Sequence, residues 1–368
     1  MEIKYNFHKG AYVEYLGDIN DPNINLEFID TNTNNIIYKT NLFPNHWSKT
    51  EYQHYINWRI KITINDQIKL DHIMDLENKR VVIIFSYETL GDFIMWMPIF
   101  ESFRKKHKCI LIVQCKQIGY VKVVKNSYPN IIFVKDYKDL FEETIYAVYE
   151  PRLDYYEKYF WNGQWPKTHA EQNFIIKLLG MDSTLLPIVD SDNEPVSIDE
   201  KYVCIIEHAQ TNFKKVWNRP LGFETVTEWL VNKGYKVVPI SKEPTRLKDI
   251  KGVIDKTGCS LSEMIRLMKN SELVIGLDTG STWAGSTLKV PIIMIMTTTS
   301  PYPQFPQINY VYNHTEGTCY GCWKTSVKGE FGSRLCDKIQ ENGLSECVMN
   351  ITPEMVIDKI KEVLKIEE

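Results

Sequence analysis

The chain has 368 residues, and its 43 Lys and Arg against 47 Asp and Glu give a formal net charge of −4, which excludes a protein whose main partner is bulk nucleic acid. Hydrophobic residues at 43% and charged residues at 24% match an ordinary packed protein and exclude disorder and low complexity. The opening MEIKYNFHKG lacks the basic and apolar regions of a signal peptide, and no apolar run approaches the ~20 residues needed to cross a bilayer, so the expectation is a cytoplasmic chain with no membrane span.

The length predicts more than one domain. Residues 1–78 read as strands: AYVEYL, NINLEFID, IIYKTNLF, YINWRIKITI and IKLDHIM alternate apolar with polar residues, Leu26 and Phe28 among them, and Asn- and Asp-rich turns such as TNTNN separate them. That is the pattern of antiparallel hairpins, and it predicts an N-terminal β-sandwich or barrel domain whose role is docking. From 79 to 195 the grammar changes to short, wholly apolar runs alternating with amphipathic segments: RVVIIFS, the helix after Gly91, CILIVQC and IIFVKD. Strands of that kind belong to a parallel sheet covered on both faces. The segment before Ala170 is aromatic-rich and irregular, and LPIVDSDNEPVSIDE at 186–200 reads as the interdomain connection.

From 196 to 311 the grammar restarts with YVCIIEH, FETVTEWLVNKG, YKVVPIS, LSEMIRLMKN, ELVIGLD and VPIIMIM. The prediction is an α/β chain of two Rossmann-like domains whose C-terminal strand edges face a cleft, where open α/β sheets bind ligands. No Gly-x-Gly-x-x-Gly opens either half, which argues against a dehydrogenase. A closing helix is expected within 351–368, with Thr352 as N-cap and Pro353 at its first position.

Of the eight cysteines, Cys109, Cys115 and Cys204 lie in or beside apolar runs and read as small core hydrophobes, and Cys259 beside a turn reads the same way. The other four, Cys319, Cys322, Cys336 and Cys347, fall within 312–350. Four thiols in so short and irregular a stretch of a cytosolic chain point to a metal finger rather than disulfides. Four thiolates close the coordination shell, which suits a structural ion and leaves no open position for catalysis; zinc and iron both accept such a site. Only Lys324, Lys328 and Arg334 flank the thiols, too few for a nucleic-acid-reading ribbon.

Two stretches carry the candidate chemistry. SYETLGDFIMWMPIFESFRKKH, at 86–107, puts Leu90, Gly91 and Asp92 where a strand becomes a helix. Gly91 would let backbone approach a ligand. Asp92 would either cap its own helix or act as a general base on an attacking hydroxyl. GLDTGSTWAGSTLKVPIIMI, at 276–295, follows an apolar strand with Gly280, Ser281 and Thr282 opening a helix.

The first stretch resembles the Leu-Gly-Asp, Pro, Leu-Arg-Lys pattern of the bacterial heptosyltransferases of glycosyltransferase family 9. The second resembles that family's Asp-Thr-Gly signature with its small-residue helix and Pro-led strand. The lipopolysaccharide heptosyltransferases carry a His three residues after the Gly of that signature, where this chain has Trp283. The autotransporter heptosyltransferase branch is similar instead, also in the β-rich start containing NHWSKTEYQHYINWRIKI, in GDFIMWMP, and in a late four-cysteine element.

The resemblance implies the GT-B architecture and direct displacement with inversion of the anomeric carbon, without a catalytic divalent metal. It implies ADP-heptose as donor, serine hydroxyls of an autotransporter passenger as acceptor, a homo-oligomer, and iron in preference to zinc on the four cysteines. Asp92 would be the base. Lys215 in FKKVWNRP, with Lys214 as fallback, would hold the departing diphosphate together with the N–H groups of Gly280, Ser281 and Thr282. Gly91, Trp217, Asp278, Thr279 and Trp283 would complete the donor site. Trp217 would either stack on the adenine or plug its loop; Asp278 would either touch sugar hydroxyls or cap the following helix; Glu88 would either contact donor or acceptor or be an exposed loop residue, the commoner outcome for a loop Glu. Glu207 and His208 would face the cleft. A transferase of another nucleotide sugar or a glycan, and a catalytically silent assembly module, are the alternatives.

Overall fold

In the computed structural model, residues 1–87, 89–141, 144–160, 170–182, 185–192, 194–209, 215–299, 301, 308–313, 338 and 341–367 are described. The strands, in chain order, are β1 (Glu2–His8), β2 (Tyr12–Leu16), β3 (Ile24–Asp30), β4 (Asn35–Leu42), β5 (His46–Lys49), β6 (Trp58–Ile64), β7 (Gln67–Ile73), β8 (Arg80–Phe85), β9 (Ile110–Cys115), β10 (Ile132–Val134), β11 (Ile145–Tyr149), β12 (Tyr202–Ile206), β13 (Lys236–Pro239), β14 (Leu273–Leu277), β15 (Ile292–Met296) and β16 (Ile308–Tyr312). The helices are α1 (Leu90–His107), α2 (Lys138–Phe141), α3 (Leu153–Tyr159), α4 (Ala170–Leu178), α5 (Gly222–Asn232), α6 (Leu261–Lys269), α7 (Gly280–Gly285), α8 (Glu346–Asn350) and α9 (Pro353–Leu364), with a 3-10 turn at Ile118–Val123.

The apolar runs become the parallel strands that the sequence predicts. β13, β12, β14, β15 and β16 lie in that order in one sheet, parallel throughout, and every residue of β12, β14 and β15 is buried. The other α/β sheet has the order β10-β9-β8-β11-β1-β2-β5. In the first sheet the chain runs outward from β8 to β9 and β10 and returns on the other side of β8 as β11; in the second it goes from β12 to β13 and returns beyond β12 as β14. Each reversal opens a crevice at the C-terminal strand ends, between β8 and β11 and between β12 and β14.

The N-terminal strands differ from the expected separate sandwich or barrel. β3, β4, β6 and β7 form an antiparallel sheet of their own, ordered β4-β3-β6-β7, whereas β1, β2 and β5 extend the first α/β sheet. β1 runs parallel to β11, with Phe7 opposite Ala147 and His8 opposite Val148. β11 would otherwise present an open row of backbone donors and acceptors; β1 pairs with it, and Phe7, 1% exposed, packs edge-on against Tyr146 at 5.2 Å.

α1 is apolar nearly all round, and its buried residues include Phe93, Ile94, Met95, Trp96, Met97 and Phe100, the signature of a helix enclosed by other elements. It packs against α4 and α7. One core runs from the four-stranded sheet through the first α/β sheet and α1 into α7, β12, β14 and β15. A second lies between the other face of β12 to β15 and α5 and α9. The predicted closing helix is α9: Thr352 Oγ1 accepts the Met355 N–H at 3.3 Å, and Pro353 opens the helix. No helix of the described residues is long and apolar enough to cross a membrane.

Candidate active site

α1 and α7 begin at the C-terminal ends of β8 and β14, one from each sheet, and they meet at their first turns. Gly91 and Gly280 make the meeting possible. A Cβ on Gly280 would lie 2.6 Å from Gly91 N and 3.1 Å from Leu90 Cβ, and one on Gly91 would lie 3.1 Å from Gly280 Cα. Both glycines therefore serve the approach of one backbone to another, whereas for Gly91 the sequence suggested an approach to a ligand.

Asp92 is the third residue of α1. It does not cap the helix: Thr89 holds the N-cap position, and its hydroxyl donates to Asp92 Oδ2. Burial pushes the Asp92 carboxyl above the ordinary carboxylate range, and the nearby Asp278 adds to the shift, against the Thr89 hydrogen bond and the charge of Lys215. A carboxyl so placed is a better proton acceptor than an exposed aspartate.

Asp278 follows β14 and is 4% exposed. Lys215 Nζ pairs with its Oδ2 at 3.0 Å. Thr299 Oγ1 donates to the same oxygen at 2.6 Å, and Trp283 Nε1–H donates to Oδ1 at 2.7 Å. Burial alone would raise this carboxyl, but the charge of Lys215 and the bonds from Thr299, Lys215 and Trp283 hold it below its usual range. Asp278 does not cap α7, where Thr279 is the N-cap residue. The site thus pairs one carboxyl biased towards the protonated form with one held ionised, and a single lysine acts electrostatically on both.

Other predicted residues fall less simply. Trp217 is 1% exposed in the second core, where its ring meets Phe223 edge-on at 4.9 Å and its Nε1–H donates to Ile351 O at 2.9 Å. It plugs the loop and does not present its face to the cleft. Ser281 is half-buried, but the Thr282 side chain turns inward: it is fully buried, and a Cβ on Gly276 of β14 would lie 2.4 Å from its Oγ1. Glu207, just after β12, is buried and accepts from Thr245 Oγ1, with Arg246 Nε 3.9 Å from its other oxygen; burial raises its carboxyl. Glu88, Lys214, Cys319, Cys322 and Cys336 lie outside the described residues. Cys347 is buried in α8 as part of the second core, with Ser345 Oγ 3.5 Å from its sulfur. Among the described residues no group of three potential metal ligands comes together.

Sequence reasoning missed Thr89 and Thr299. A Thr three residues before Asp92 has capping-box spacing. The run Thr297, Thr298 and Thr299 after β15, all buried, supplies hydroxyls at the strand end beside that of Asp278.

A family model described as glycosyltransferase family 9 (heptosyltransferase) matches residues 105–326, more than half the chain. The chain belongs to glycosyltransferase family 9. The matched span holds Lys215, Asp278 and the start of α7, while Asp92 lies upstream of it. This family 9 transferase is 26% identical over 343 residues to the autotransporter heptosyltransferase Aah of Escherichia coli, an alignment covering 87% of this chain and 81% of Aah. It is 28% identical over 335 residues to the autotransporter heptosyltransferase TibC of Escherichia coli O78:H11, covering 87% and 79%. The crystal structure of TibC, described as an iron-containing dodecameric glycosyltransferase, shares the fold with a TM-score of 0.80 at 24% identity, covering 99% of this chain and 96% of that one. A second TibC structure, in complex with ADP-D-beta-D-heptose, gives a TM-score of 0.79. Another relative, 23% identical over 281 residues and covering 74% of this chain and 65% of its own, is the inactive autotransporter heptosyltransferase BimC of Burkholderia thailandensis.

Proposed function

We propose that this chain transfers a heptose from ADP-heptose to serine hydroxyls of an autotransporter passenger, with inversion at the anomeric carbon. The observation that carries the reading is the meeting of Asp92, Lys215 and Asp278 where α1 and α7 abut at the C-terminal edges of two α/β sheets. Asp92 takes the proton of the acceptor hydroxyl as its oxygen attacks the anomeric carbon, and the bond from that carbon to the diphosphate oxygen breaks on the opposite face. Lys215 balances the charge gathering on the departing ADP, assisted by backbone N–H groups of Gly280, Ser281 and Thr282. Asp278, fixed by Trp283 and Thr299, holds Lys215 in place until the diphosphate arrives and stands beside the sugar hydroxyls thereafter. Positive charge from Lys215 and the α7 terminus serves where a divalent cation would otherwise be needed.

A structural metal on Cys319, Cys322, Cys336 and Cys347 belongs to the same reading, with iron preferred because TibC contains iron. Cys347 would then tie the finger to the second core. The reading includes a homo-oligomer, on the analogy of dodecameric TibC, and a cytoplasmic location, where ADP-sugars are available before the passenger is exported.

A thermal-shift panel of ADP, UDP, GDP and CDP is the first test. A specific ligand at 100 times its Kd stabilises by about 2.7 kcal/mol, so ADP alone should raise Tm, and an assay with ADP-heptose and a passenger should then show mass increments of one heptose. Preference for another nucleotide would change the sugar. The kinship with BimC favours a second reading, an assembly module without catalysis, and ADP binding without any transfer would support it. Elemental analysis should find about one iron per chain, lost in Cys347→Ser.

A further inference from the structure

The crevice between β8 and β11, on the first sheet, holds a second ionic cluster beside the segment that leads into α1 and Asp92. It begins at the N-terminus. β1 lies parallel to β11, and the Lys9 N–H continues the ladder by donating to Val148 O at 2.8 Å. Lys9 then turns sharply, with a φ of 57°, and Gly10 follows with a φ of 121°. A Cβ on Gly10 would lie 2.0 Å from Thr50 O, so only glycine lets the hairpin close there. The turn delivers the Lys9 ammonium to the C-terminal edge of β11.

At that edge the ammonium pairs with Oε2 of Glu150, the residue after β11. The other carboxylate oxygen accepts a hydrogen bond of 2.7 Å from Ser86 Oγ, and Ser86 is the residue after β8. Glu150 therefore bridges the ends of two neighbouring strands, with its side chain 16% exposed. Burial would raise its carboxyl, and the bonds from Lys9 and Ser86 overcome that and hold it below the ordinary range. The next residue of the loop is fixed as well: Tyr87 OH accepts the Leu153 N–H at 2.7 Å, and its ring meets Trp96 of α1 edge-on at 5.2 Å. Thr89 completes the series through its bond to Asp92.

We propose that Lys9, Glu150 and Ser86 form a positioning clamp at the approach to α1, the helix that carries Asp92, so that the first strand of the chain belongs to the catalytic apparatus instead of serving as a docking appendage. The proposal rests on Asp92 being the base. None of the three need touch substrate; they fix the point from which α1 starts. Displacing a reacting group by about 1 Å costs on the order of 100-fold in rate, and a loop tethered at its first residue has little freedom to drift that far.

The test uses the full chain, ADP-D-beta-D-heptose and a recombinant passenger. Lys9→Met, Ser86→Ala and Glu150→Gln should each lower kcat between about tenfold and 100-fold, with the Kd for ADP unchanged by titration calorimetry. Lys9→Arg and Ser86→Thr should restore most of it. Lys9→Met together with Glu150→Gln should be no slower than Glu150→Gln alone, because one clamp is broken once. Unchanged kcat, multiplicative losses, or ADP affinity falling in step with kcat would each overturn the clamp. Should Glu150→Gln fail to fold, the Lys9 and Ser86 variants carry the test, since both side chains reach solvent. Asp92→Asn runs in parallel: if it is inactive while the clamp variants keep full kcat, the clamp is wrong and the base stands; if it keeps full activity, the base reading fails and the clamp falls with it.

Discussion

A carboxylate buried beside another is stable only if something separates their charges, and Asp278 and Asp92 show the two ways of doing so. Asp278 stays ionised because Lys215, Thr299 and Trp283 surround it. Its depressed folded pKa contributes stability present above the unfolded value of about 3.9 and lost as pH falls through the folded value. Trp283→Phe removes one of the donors and should cost about 1–3 kcal/mol in urea denaturation at neutral pH, with the acid-side loss of stability smaller and complete at a higher pH. Asp92 has the opposite sign: its folded pKa is raised, so its contribution is intact below the unfolded pKa and is lost as pH rises through the folded one. Asp92→Asn should therefore be more stable than the parent at neutral pH, with the gap closing towards pH 4, even as transfer disappears; a gap that widened in acid would contradict the assignment. Asp92, Lys215 and Asp278 could be singled out in the sequence because each follows an apolar strand, Asp278 directly and the other two after a loop. The placement of Trp217 was not legible, since its choice between cleft and core is made by Ile351 O, 134 residues away.

Among the elements, the α1 and α7 junction is a tight constraint between the two halves. Gly280→Ala would set a methyl 2.6 Å from Gly91 N, where the obstacle is backbone and cannot rotate away. The helices must separate, and the expected cost is about 1–3 kcal/mol with a marked fall in kcat; denaturation and steady-state kinetics on one preparation would check both, and an unchanged enzyme would show that the junction is softer than its geometry. The glycines were visible in the sequence, but their purpose was not: a Gly beside a strand end reads equally as room for a ligand and room for another helix. Parallel strands were legible because runs such as VVIIF and VIGL have no polar face. The β1 and β11 pairing was hidden because nothing in EIKYNFH distinguishes a strand paired with its hairpin partner from one that also joins a parallel sheet far along the chain.

At the scale of the molecule, the first core makes no boundary at residue 78: it takes in Phe28 and Trp58 of the antiparallel sheet, Phe100 of α1 and Met294 of β15. A chain beginning at residue 79 would strip β1 from β11 and uncover that core. It should be insoluble or lack a cooperative melt, whereas a true docking domain could be removed without harm; circular dichroism and light scattering on the shortened chain decide between them. The order of elements within each half was readable, and the continuity across halves was not, because apolar periodicity says that a face is covered without saying by what. Helices of the two halves meet at α1 with α7 and again at the 3-10 turn with α6. Among the described residues these two contacts, with the first core continuous beneath them, fix the halves to one another along a line and not at a single point. Asp92, Lys215 and Asp278 stand beside the first of these contacts, so the packing that joins the two halves is also what sets the spacing of the three side chains.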